Sequence, residues 1–171
     1  DVVRDVEHHP FAQADVLLEG VFVGVISQRQ TDDLVIIGVG VGDTKGIFGT
    51  TRPAFEKFGP SRVIDTPLSE NMLTGACIGA ALAGKRPVLI HARNDFMLLT
   101  LDQLLNNAAK WRYMSNGKCS VPMVVRAIIG YGWGQGAQHS QSLQALFAHT
   151  PGLQVVMPYW PSEAKLGLIE A

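Results

Sequence analysis

Three side chains in this sequence have types and positions suited to proton transfer and to holding a flat ring: Glu70, Phe96 and His139. Glu70 ends the run Asp65-Thr66-Pro67-Leu68-Ser69-Glu70. Arg62 to Thr66 has the β-branched make-up of a short strand, Pro67 stops it, and Ser69 is placed to cap a helix whose small and apolar residues run from Met72 to Ala83. Glu70 then falls in a first helical turn at the carboxyl end of a strand, where open α/β sheets bind their ligands. An acid there also has an ordinary explanation, because it complements the helix dipole. Phe96 closes the segment Ala92-Arg93-Asn94-Asp95-Phe96 after an expected strand at 87–91, and a core phenylalanine is the usual account of such a residue. His139 follows an expected strand at 121–129 and the loop 130–136, GYGWGQG, whose glycines let the backbone approach a ligand or a partner closely. A histidine in that place can also serve only to hydrogen-bond its own loop. All three follow different strands at the same edge of the expected sheet. A carboxylate, an aromatic ring and an imidazole converging there can share one ligand, with the carboxylate and imidazole as acid–base groups.

The elements that must position them alternate along the chain. The pattern predicts a helix over 11–29, although Val21, Val23 and Val25 at spacing two leave part of it ambiguous. Strands are expected at 34–41, 62–66, 87–91, 121–129 and 153–157, with helices at 52–58, 69–83, 98–114, 140–149 and 162 to the end. The strands are apolar and β-branched without polar alternation, the signature of a parallel sheet covered on both faces. The expected fold class is therefore α/β, a three-layer sandwich with a mostly parallel sheet, and residues 1–171 form one domain. A chain of 171 residues can bury about 70% of its unfolded surface, enough for a sizeable core.

Composition excludes several function classes. Charged residues are only 17% of the chain against 47% hydrophobic, which points to surface covered by another chain or domain. A net charge of −1 offers no basic face for nucleic acid. No apolar run has the length of a membrane span, and no secretory signal is expected. Cys77 and Cys119 read as reduced thiols of an intracellular protein rather than a disulfide frame. The chain begins without Met, as a processed or truncated piece would. Gly38, Gly40 and Gly42 follow a strand, but Asp43 stands where a dinucleotide fingerprint needs its third glycine, and Gln135 does the same in the second glycine loop. Neither a phosphate-binding P-loop, a Gly-x-Ser-x-Gly elbow nor a metal-spaced Cys/His cluster occurs, so no metal ligands are assigned to this chain.

The words FGPSRVIDTPLSEN, TGACIGAALAGKRPV, LDQLLNNAAKWRYMSNGK, VPMVVRAIIG, GQGAQHSQSLQALFAHTPGLQVVMP and PSEAKLGLI closely resemble one family over roughly 34–171. That family is the β subunit of the thiamin-diphosphate-dependent decarboxylase component of 2-oxo acid dehydrogenase complexes, whose amino-terminal domain shares its fold with the pyrimidine-binding domain of transketolase. The resemblance implies an oxidoreductase component in which Glu70 shares a proton with a ring nitrogen of the cofactor's aminopyrimidine. Burial that raises a carboxyl group's proton affinity suits such a role at neutral pH. It further implies that Leu68 lines the pyrimidine pocket, that Phe96 packs on the ring face, and that His139, in Ala-Gln-His-Ser-Gln, handles substrate or acyl groups.

The resemblance also implies partners and a compartment. The diphosphate and its Mg²⁺ belong to an α subunit in a heterotetramer, and a lipoyl-bearing acyltransferase is a further candidate partner. The compartment is the bacterial cytoplasm or the mitochondrial matrix. Gly42-Asp43-Thr44 with Asn71 imitates the spacing of a metal motif, but Thr44 replaces its last glycine and Asn71 adjoins Glu70 in the other half-site. Two departures stand out: Val39 occupies the place of the family's usual acid after the first strand, and the family's carboxyl-terminal domain would lie beyond Ala171. A transketolase or deoxyxylulose-phosphate synthase fragment, and a non-catalytic interaction domain that kept the fold, remain alternative readings. Low charge with exposed apolar surface would in addition favour self-association.

Overall fold

The computed structural model describes residues 20–24, 33–43, 49–130 and 135–170, with side chains left out at 20–24 and 169–170. In chain order the elements are β1 Gly20–Gly24, β2 Leu34–Gly38, α1 Arg52–Phe58, β3 Val63–Asp65, α2 Glu70–Leu82 and β4 Arg86–His91. A 3₁₀ turn Asn94–Thr100, a wide π turn Asp102–Ala108 and α3 Ala109–Met114 follow. The chain continues with β5 Val124–Ile128, a 3₁₀ turn Ala137–His139, α4 Gln144–Ala148, β6 Gln154–Val156 and α5 Pro161–Glu170.

One sheet has the order β3-β2-β4-β5-β1-β6, and its first four strands are parallel. This is the expected α/β architecture, with helices flanking a parallel sheet. Successive side chains of a strand face opposite ways, and both faces here are apolar. Leu89 of β4 and Val125 and Ala127 of β5 join a larger core with Leu73, Cys77 and Phe147. Ile90 of β4, with Ile36 and Val63 beside it, joins a smaller core under Ala54 of α1. The central strands β2, β4 and β5 read as largely apolar runs because they have a layer on both sides. β2 and β4 approach so closely at Gly38 that a Cβ there would lie 2.6 Å from the Ile90 carbonyl oxygen.

The structure corrects the expected elements in three places. Within the predicted helix 11–29, residues 20–24 are the strand β1, antiparallel to both β5 and β6, with Phe22 opposite Arg126 and Val156. The remaining residues of that expected helix, 11–19 and 25–29, lie outside the described residues, as do 44–48 and 131–134 of the two glycine-rich loops. The sheet therefore has six strands instead of five, and β6 pairs with β1. The long helix expected at 98–114 is three successive pieces beginning at Asn94, and the helix expected at 140–149 is reduced to Gln144–Ala148. Among the described residues no helix is long and apolar enough to cross a membrane.

Candidate functional site

The carboxyl edge of the parallel strands is built on a buried polar cluster. Where β4 ends, Arg93, Asn94 and Asp95 are all buried. Arg93 Nε faces Asp95 Oδ2 at 3.7 Å, with the two side chains 5% and 3% exposed. Arg93 Nη2 also donates to the Gly130 carbonyl. Asp95 Oδ1 accepts the Gln141 backbone N–H at 3.2 Å and the Gln141 side-chain amide at 2.9 Å. Gly130 N–H in turn donates to the Gln141 carbonyl at 3.1 Å. Removing one member of such a buried charged pair is strongly destabilising, because the other is left uncompensated. The exit of β4 and both ends of the loop after β5 are thereby stitched together.

That stitching brings two of the expected site residues into contact. Phe96 follows Asp95, and His139 precedes Gln141 by two residues. Their rings meet edge to face, with centroids 5.3 Å apart and planes at 85°. The turn holding His139 is closed by its own N–H donating to the Gly136 carbonyl at 3.1 Å, and by Ser140 Oγ donating to the same carbonyl at 2.8 Å. His139 Nδ1 is buried without a hydrogen-bond partner among the described residues.

Glu70 is the first residue of α2, and Ser69 occupies the cap position without a side-chain capping bond. The Leu73 N–H donates to the Ser69 carbonyl at 2.9 Å, and Thr74 Oγ1 donates to the Glu70 carbonyl at 2.7 Å, so the first turn closes on backbone acceptors. The Glu70 carboxylate, half-buried, is engaged by no hydrogen bond or ion pair among the described residues. Asn71 next to it donates to the Leu99 carbonyl at 3.2 Å and accepts from Gln103 Nε2 at 3.4 Å. Those bonds fasten the start of α2 to the turn that carries Phe96. Leu68 is 75% exposed just ahead of Glu70, and Met72, Leu98 and Leu99 are exposed around the same helix start. The structure thus joins Phe96 to His139 directly, and ties Glu70 to them through Asn71 and Leu99.

Val39 sits half-buried in the turn after β2. In that turn Asp65 Oδ1 accepts the Gly40 N–H at 2.7 Å and the Thr66 N–H at 2.9 Å. His91, the last residue of β4, is buried with Nε2 unpartnered among the described residues, and burial lowers its pKa to about 4. It is a neutral core imidazole at physiological pH. Cys77 is likewise inert, its thiol pushed up to about 12 by burial, while Cys119 is exposed and both are free.

The sequence model of the transketolase, pyrimidine binding domain matches residues 26–171. The chain belongs to that family. The chain is 48% identical over 126 residues to the acetoin:2,6-dichlorophenolindophenol oxidoreductase subunit beta of Cupriavidus necator, covering 74% of this chain and 37% of that protein. It is 41% identical over 155 residues to the 2-oxoisovalerate dehydrogenase subunit beta of Bacillus subtilis, covering 90% and 47%. It is 39% identical over 163 residues to the mitochondrial pyruvate dehydrogenase E1 component subunit beta of Bos taurus, covering 95% and 45%. The pyrimidine-binding domain described here spans less than half the length of these relatives.

The residues at the edge of this pyrimidine-binding domain fit an aminopyrimidine. Such a ring would need a carboxylate for its ring nitrogen, and Glu70 has no partner among the described residues. Phe96 and Leu68 are the aromatic and aliphatic side chains that could face it. Among the described residues, no three His, Cys, Asp or Glu side chains are placed to share a metal ion. Sequence reasoning singled out Phe96 but passed over Arg93, Asp95 and Gln141, the buried polar cluster next to it. Their signal was present: three polar residues, Arg93-Asn94-Asp95, directly continue an apolar buried strand.

Proposed function

We propose that this chain supplies the pyrimidine-binding half of a thiamin-diphosphate-dependent 2-oxo acid decarboxylase site, completed by an α subunit that holds the diphosphate and Mg²⁺. The observation that carries the reading is Glu70: a half-buried carboxylate at a helix start, free of any partner among the described residues, whose neighbour Asn71 is hydrogen-bonded to the turn that carries Phe96. The chemistry that bound thiamin diphosphate supplies is an electron sink for the carbon–carbon bond that breaks. Glu70 holds a proton at its carboxyl group and exchanges it with the aminopyrimidine ring nitrogen. Phe96 and Leu68 give the ring its apolar contacts. His139, whose Nδ1 is buried without a partner among the described residues, presents its imidazole to the substrate or acyl group.

The relatives' names support the assembly, since each is a β subunit. The exposed Leu68, Met72, Leu98 and Leu99 around Glu70 suit burial by an apposed chain. The bacterial cytoplasm or the mitochondrial matrix is the compartment this reading assigns. The identity to the acetoin enzyme's β subunit favours a second substrate class, a 2-hydroxyketone in place of a 2-oxo acid. Offering both substrates to the assembled enzyme separates the two.

Calorimetry tests the half-site. A cofactor bound between two walls draws its strongest, charge-assisted contacts from the diphosphate side. The chain alone, titrated with thiamin diphosphate and Mg²⁺, is expected to bind weakly, and addition of the α subunit to raise the affinity sharply. Micromolar binding by this chain alone would overturn the division of the site between two subunits.

A further inference from the structure

We propose that Asp95 is a positioning residue: clamped by Arg93 and Gln141, it sets the edge-to-face contact of Phe96 and His139. The catalytic meaning of this inference rests on the decarboxylase reading above, whereas its geometry does not. Asp95 Oδ1 takes both donors of Gln141, at 3.2 and 2.9 Å, and Oδ2 faces Arg93 Nε at 3.7 Å. Arg93 Nη2 reaches the Gly130 carbonyl, and the Gly130 N–H returns to the Gln141 carbonyl at 3.1 Å. Gly130 and Gln141 bound the glycine-rich segment that carries His139, so one carboxylate governs where both ends of that segment sit.

The rings could in principle hold each other. An edge-to-face pair is a weak contact, while a buried, charge-assisted clamp is stronger and costly to break. The direction of control therefore runs from the clamp to the rings. Asp95 itself has side-chain exposure of 3% and touches no substrate, so its influence passes through Phe96 and His139.

The test uses the full chain with labelled aromatic and histidine rings, read by nuclear magnetic resonance. Asp95→Asn keeps the side chain's shape but removes its charge, and Gln141→Ala removes one donor and leaves the ion pair. Both variants are expected to lose the ring-to-ring Overhauser contacts between Phe96 and His139. His91, buried on the same sheet, stays neutral and unchanged and reports that the fold is intact. Retention of the ring contacts in a folded variant would overturn the proposal. So would loss of the His91 signature together with them, which would mark a general structural role. If Asp95→Asn does not fold, Gln141→Ala decides alone. These spectra need neither cofactor nor α subunit, so their failure is distinct from failure of the decarboxylase reading, which calorimetry decides.

Discussion

At the scale of single residues, two imidazoles at one sheet edge are given different work by their surroundings. His91 closes β4 in register with Ala127, inside the larger core, and burial holds its pKa at about 4 against an ordinary value of 6.5. As pH falls below 6.5 the unfolded chain takes up this proton before the folded one does, so stability declines down to about pH 4. Between those limits His91 accounts for a loss of up to about 3 kcal/mol. Urea unfolding at neutral pH and near pH 4.5 is expected to show that loss, and His91→Leu to lack it. An unchanged pH dependence in the variant would assign the effect to other groups. His139 differs in being half-buried, with its ring against Phe96 and its Nδ1 buried without a partner among the described residues.

At the scale of elements, the turn between α4 and β6 shows how tightly the layers fit. Gly152 has φ +96°, and a Cβ there would overlap the Ala109 carbonyl oxygen at the start of α3. Gly152→Ala combines a disfavoured backbone conformation with that collision and is expected to cost more than about 2 kcal/mol in chemical denaturation. A cost under about 0.5 kcal/mol would mean that the turn moves aside freely. The elements read correctly from sequence were those with strong local signals: the apolar β2, β4 and β5, and the Pro-started, Gly-stopped α1. The strand β1 was read as part of a helix because Val21, Phe22 and Val23 satisfy either period, and what decides between them is the slot between β5 and β6, a long-range pairing. The break in the 98–114 helix was equally hidden. The turn 94–100 begins on buried Asn94 and Asp95, and the demands of that polar cluster override helical periodicity. Glu70 was legible because Pro67 and Ser69 punctuate its helix start, whereas the contact of Phe96 with His139 depends on Asp95 and Gln141, 46 residues apart in the chain.

At the scale of the whole molecule, low charge and exposed apolar side chains belong together. Charged residues make up 17% of the chain, and Leu68, Met72, Leu98 and Leu99 are exposed around the start of α2. A surface of that kind is a docking face before it is a solvent face. In the assembly proposed above the face is closed by the α subunit, and Glu70 then lies between two protein walls with the cofactor's pyrimidine beside it. The most direct test of this account is the decarboxylation rate of the assembled enzyme carrying Glu70→Gln, with thiamin diphosphate saturating. The glutamine keeps the shape of the side chain but cannot pass a proton, so the rate is expected to fall at least ~10²-fold while the fold and the assembly persist. A near-normal rate in that variant would contradict the assignment of Glu70 as the proton carrier.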